Sequence, residues 1–205
     1  MRTGRSDRVA GMGLTVKSGW ASAALVVGTP VSPEVVDSRR IELSDPSMPE
    51  ARQPYHEGFG TARGSGSTLT ALVASVKRFG RKSVSELIQT YRGAGYRLRG
   101  AGIVVGSLVD PDTIGNDHIR IHALEGQLFR RVVEDAATRC RLTPSIWRER
   151  DLFGTAAAAL QRSEQELREK LTALGTMMEG SWRAEQKTAT LAAWLVLAGL
   201  ARGPR

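Results

Sequence analysis

The sequence predicts an α/β domain on a mixed five-stranded sheet, an antiparallel opening of three strands followed by two parallel ones, with helices on both faces. Three features predict it. Three strand-like segments stand close together at the start, amphipathic helical runs then alternate with single apolar strands, and the last helix is too apolar to face water.

Residues 1–12 are polar and glycine-bearing and read as a loose tail before one domain over 13–202. Leu14-Thr15-Val16-Lys17-Ser18-Gly19 reads as a strand entering a tight glycine turn, and Ala23–Val27 as the strand that returns. After the Thr29-Pro30 turn, Glu34–Leu43 has the β-branched bulk of a third strand in Val35, Val36 and Ile41. Residues 44–67 have three prolines and little pattern, so this loop is either a lid or unstructured. As a lid it would bring Tyr55 and His56, with Gln53 and Glu57 beside them, over a pocket; otherwise these are ordinary exposed loop residues.

Leu69, Leu72, Val73 and Val76 repeat at helical spacing. Beyond Gly80, a Ser83-x-x-Glu86 capping box predicts a new helical start before Val84, Leu87, Ile88 and Tyr91, with Gly93 and Gly95 ending it. Arg97–Val105 reads as a strand whose Gly102-Ile103-Val104-Val105 end suits a buried parallel sheet. Asp117 is placed to cap a helix running to about Arg139, with Ile121, Leu124, Leu128, Val132 and Ala136 inward. A short strand over Thr143–Arg148 follows. Helices are expected at Leu152–Leu160, at Glu164–Leu174 behind the capping box Ser163-x-x-Glu166, and at Arg183–Leu200.

The net charge of +8 and the pI near 10.3 favour a polyanionic partner, although part of the excess lies in Arg2, Arg5, Arg8, Arg202 and Arg205 and there is no run of like charge. A single cysteine, Cys140, excludes an internal disulfide and a cysteine-rich metal site, and points to a cytoplasmic setting and an inert packing role. The stretch after Arg8 reads as strand and not as a leader peptide, and the apolar run Leu191–Ala201 is too short to span a bilayer, so no membrane partner is expected.

Several segments resemble the RuvC-like Holliday-junction resolvases, and the related pre-16S rRNA nuclease family, of the ribonuclease H-like fold. Ile103-Val104-Val105-Gly106-Ser107-Leu108 resembles the family's strand-to-loop motif, and Arg148-Glu149-Arg150 its acidic strand end before a helix. Ala192-Ala193-Trp194-Leu195-Val196-Leu197 resembles its alanine-rich last helix, and Val16-Lys17-Ser18-Gly19 its Asp-x-Gly turn with lysine replacing the acid. The resemblance implies two-metal phosphodiester hydrolysis, with Mg²⁺ or Mn²⁺ held by carboxylates. On this chain the corresponding positions are Lys17, Glu149 and the neighbourhood of Ala189, with Glu185 one turn earlier on the same helical face. An ammonium group repels a cation, so the departure falls on the chemistry itself.

Catalytic-position candidates are therefore Lys17, Glu149 and Glu185, with a Lys17–Glu149 pair expected in the space of a lost metal. Candidates for contact with structured DNA or RNA are Ser18, Gly19, Trp20, Arg39, Ser107, Arg148 and Arg150, each weighed against solvated charge or packing. His118, His122 and Glu125 share one helical stripe and could hold Zn²⁺ or Mn²⁺; helix caps or half-buried fillers are the plain alternative. Three functions follow: a nucleic-acid-binding domain with weakened or lost nuclease activity, a metal-dependent phosphodiesterase with a relocated site, or a non-catalytic interaction module on the same scaffold. A homodimer is compatible with each.

Overall fold

The computed structural model describes residues 8–57 and 61–200. The outer residues of the expected tail, and Arg2, Arg5, Arg202 and Arg205, lie outside the described residues. The sheet has five strands in the order β3-β2-β1-β4-β5: β1 Arg8–Lys17, β2 Trp20–Gly28, β3 Pro33–Glu42, β4 Tyr96–Val105 and β5 Pro144–Arg148. β1 pairs antiparallel with β2, and β2 with β3, while β4 runs parallel to both β1 and β5. The helices are α1 Ser67–Gly93, α2 Asp117–Arg139, α3 Glu149–Leu160, α4 Glu164–Gly175 and α5 Ala184–Leu197. This is the ribonuclease H-like mixed sheet that the sequence predicts.

The side-chain alternation of β1 separates two cores. Ala10, Met12, Leu14 and Val16 join the cluster under α1 and α2, with Phe129, Val132 and Ile88. Opposite them lie α3, α4 and α5, whose core includes Trp194, Leu191, Leu167 and Leu152. The Trp194 indole N–H is satisfied by the Pro30 carbonyl at 2.9 Å, as a buried tryptophan requires.

The start of β1 corrects the expected tail. Residues 8–12 are strand, and Gly11 and Gly13 serve close packing, not flexibility. A Cβ on Gly11 would lie 2.0 Å from the Ala193 carbonyl oxygen, and one on Gly13 would lie 1.9 Å from that of Ala189. Gly102 on β4 is approached by Ala192 in the same way. The final helix thus sits against bare backbone, which is why it is lined by alanine on that side.

A second correction concerns Gly80. It does not divide two helices, and Ser83 is not a start: α1 runs unbroken through both. A Cβ at Gly80 would meet the Val132 side chain at 2.6 Å and the Leu43 carbonyl oxygen at 2.9 Å, so glycine is there to admit α2 and the end of β3. The cap of α2 is Asn116, not Asp117; its side-chain oxygen accepts from the Ile119 amide at 3.0 Å. Leu124 is only half-buried, and the inward stripe passes instead through Ile121, Glu125, Leu128, Phe129 and Val132. α3 begins at Glu149, three residues earlier than expected, so that acid sits in a helical first turn with Asp151. The capping box at Ser163 is present as expected.

The described residues of the 44–67 segment are structured, not a patternless loop. The segment contains a short 3-10 turn, Pro49–Arg52, buries Ser44, Ala51 and Pro54, and forms a bridge between His56 and Ala62. No helix among the described residues is long and apolar enough to cross a membrane.

Candidate functional site

The parallel strands β1, β4 and β5 all end at one edge of the sheet, the edge where open α/β sheets bind ligands. Two charged centres lie there. The first is built on the β1–β2 turn. Gly19 has a φ of +83°, a conformation that favours glycine, and its carbonyl accepts amide hydrogens from Leu43 and Ser44 at 2.8 and 3.2 Å. That locks the turn and fixes Lys17 at the strand end. The Lys17 ammonium donates to Glu149 Oε2 at 3.0 Å, with the two side chains 31% and 37% exposed. At that exposure the pair contributes at most about 1 kcal/mol. Its significance is electrostatic: the carboxylate that would face a cation is already neutralised.

The other acid implied by the resemblance is not restored. Ala189 is fully buried with its carbonyl against Gly13. Glu185 lies one turn earlier, half-buried, and among the described residues its carboxylate makes no ion pair or side-chain hydrogen bond. A two-ion site needs several oxygen ligands in a tight geometry, and one paired carboxylate does not supply them. These residues do not fit a pair of Mg²⁺ ions.

Beside Lys17, on the α2 side, a cavity of about 460 Å³ opens between the ends of β1 and β4 and the first half of α2. Lys17, Ser18 and Ser107 form one wall; His122, Gln127 and Arg130 bring polar groups from α2 to the other. Ser107 also accepts from the Val109 amide at 3.1 Å, which shapes the β4 exit loop. The apolar side chains Val109 and Ile119 line the cavity and are 54% and 55% exposed.

The remaining candidates are placed apart from the cavity. Arg39, on outer strand β3, is held bidentately by Asp37 at 2.7 and 2.8 Å, and this raises its guanidinium pKa further. Trp20 is covered by the Arg40 guanidinium, 4.3 Å from the ring centre, so that face is not free for a base. Arg148 pairs with Asp151, and Arg150 reaches the same acid at 3.7 Å.

The second charged centre is at the start of α2. His118 and His122 stand one turn apart with ring centres 4.7 Å from each other, as their spacing predicts. Their third partner is not Glu125. His56, from the 44–67 segment, places its ring centre 4.9 Å from that of His122, and one donor atom on each of the three rings lies within 4.8 Å of the others. Glu125 is fully buried behind His56, accepting from its Nδ1 at 2.8 Å, while its Oε2 has no partner among the described residues. Burial pushes the Glu125 carboxyl above its ordinary range, partly offset by His56. Partial desolvation by the neighbouring groups, with His56 and His118 nearby, holds the otherwise exposed His122 below the usual histidine value and favours the neutral ring. The helical stripe was visible in the sequence; His56 was missed as a partner because it arrives from a loop more than 60 residues away.

No protein-family model matches the chain, and no curated protein does. Among solved structures, Thermus thermophilus RuvC is similar over 94% of this chain and 95% of its own, with a TM-score of 0.54 and 11% identity. The T. thermophilus RuvC structure in complex with a Holliday junction substrate is similar over the same shares, with a TM-score of 0.55 and 10% identity. At these identities the likeness establishes the fold alone: the chain shares the architecture of RuvC over 94% of its length.

Proposed function

We propose that this chain is a nucleic-acid-binding domain of RuvC-like fold in which two-metal nuclease chemistry has been weakened or lost. The observation that carries this reading is the Lys17–Glu149 ion pair, which sets a fixed positive charge at a strand end where the resemblance implies a metal-binding carboxylate. A carboxylate already paired with an ammonium draws a cation weakly, yet Lys17 on a cavity wall with Ser18 and Ser107, across from Arg130, suits a phosphate oxygen. The net charge of +8 supports a polyanionic partner, and a structural neighbour described in complex with a Holliday junction makes structured DNA the first substrate to try, with structured RNA the second.

The test is fluorescence anisotropy with four-way junction DNA, duplex DNA and a folded RNA across a salt series. The reading expects affinity that falls steeply with salt, a Lys17→Gln variant with a shallower salt slope by about one, and no Mg²⁺-dependent cleavage by the wild type. No binding to any probe at low salt would overturn it.

A further inference from the structure

We infer that His56, His118 and His122 form a binding site for a divalent transition metal, Zn²⁺ first, with Glu125 as the carboxylate that orients His56. The site goes beyond the nucleic-acid reading and does not depend on it. The chain has three histidines in all, and folding brings every one of them into this cluster. Imidazole nitrogens suit Zn²⁺, which takes three protein ligands and leaves its fourth tetrahedral position open to water.

Glu125 is the independent sign. A carboxylate buried completely on a helix is costly, and the His56 hydrogen bond, helped by the Tyr55 backbone, still leaves Oε2 without a partner among the described residues. With Nδ1 donating to Glu125, His56 turns its Nε2 lone pair outward, and a cation on that nitrogen would answer the buried acid through one ring. Ligating histidines are commonly fixed by a carboxylate on the second ring nitrogen. Without a metal, the three imidazoles are crowded together and Oε2 lacks a hydrogen-bond partner among the described residues.

The geometry requires little adjustment. Zn–N bonds of about 2.0–2.1 Å imply nitrogens roughly 3.3 Å apart in a tetrahedron. The three donor atoms already lie within 4.8 Å of one another, and His118 and His122 are exposed, so rotation of their rings can close the difference. His122 also lines the cavity beside Lys17, which brings the metal site to the cavity wall. An ion there would clamp the 44–57 segment onto the first two turns of α2.

The test uses untagged full-length protein stripped with chelator and titrated with Co²⁺, then with Zn²⁺. One Co²⁺ per chain with visible bands of a four-coordinate nitrogen-rich site, displaced by Zn²⁺, is expected, together with a Zn²⁺-dependent rise in Tm. His118→Ala and His122→Ala change exposed side chains and should leave the apo fold intact while weakening binding at least 100-fold. Glu125→Gln should retain the stoichiometry and weaken binding roughly 10- to 100-fold. Failure to retain Zn²⁺ at equimolar concentration, or affinity unchanged in both alanine variants, would overturn the site. If Glu125→Gln does not fold, the two exposed variants still decide the matter.

Discussion

The two faces of the sheet follow opposite rules. On the α5 face, backbone meets backbone: Gly11, Gly13 and Gly102 receive the alanines of the last helix, and the charges at the end of that face, Lys17 and Glu149, satisfy each other. On the α1–α2 face the contacts are made by large side chains, a cavity remains, and a buried acid and three imidazoles keep unused valence. The difference teaches where chemistry can still be found. The residues that the family resemblance points to, Lys17 and Glu149, already pair with each other, whereas the α2 side, where Lys17 borders a roomy cavity, has groups left unsatisfied among the described residues.

The sharpest way to break the contrast is Gly13→Ala. The new methyl would have to displace the Ala189 backbone, so the variant should lose at least about 3 kcal/mol by denaturant titration, or fail to fold. An unaltered midpoint would show that α5 is not seated on bare backbone. Gly80→Ala probes the opposite face, where the nearest obstacle is the Val132 side chain and the Leu43 carbonyl oxygen, at 2.9 Å, leaves more room than the backbone facing Gly13. Gained helix propensity of about 1 kcal/mol offsets overpacking of about 1–3 kcal/mol, so a smaller loss is expected, read by the same titration. A loss equal to that of Gly13→Ala would erase the distinction between the faces.

Lys17→Met tests the ion pair. Because the pair is a third exposed, stability should change by no more than about 1 kcal/mol, while affinity for four-way junction DNA falls. A large stability change with unaltered binding would make the lysine structural. The smallest effect concerns pH at the exposed start of α4. Ser163 bonds hold the Glu166 carboxyl below its ordinary pKa, so its help to α4 is present above the unfolded value, near 4.5, and fades as pH falls through the folded one. Glu166→Gln should therefore flatten a slight acid-side fall in Tm and leave the neutral Tm nearly unaltered.

Much of the architecture could be read in the sequence because periodicity reports burial. The strands over 14–17, 23–27 and 97–105, the helix ending at Arg139 and the Ser163 box are local patterns, and local patterns survive folding. Glycine was the weak point. A sequence cannot distinguish a glycine that bends the chain from one that admits a neighbour, so Gly11 and Gly80 read as looseness and a break when each is a contact. The Lys17–Glu149 pair was legible only through the resemblance, since its members are 132 residues apart. Likewise, the stripe of His118, His122 and Glu125 was visible by spacing, but which of its members faced out depended on where His56 arrived.

The slot formed by Gly11 and Gly13 also bears on how the molecule is made. Its central strand is synthesised well before the helix that covers it, with every other strand and helix in between. Until that helix docks, one side of β1 is an uncovered trough of main chain, and such long-range closure slows folding and invites wrong partners. Nascent chains halted before residue 184 should be the most dependent on chaperones.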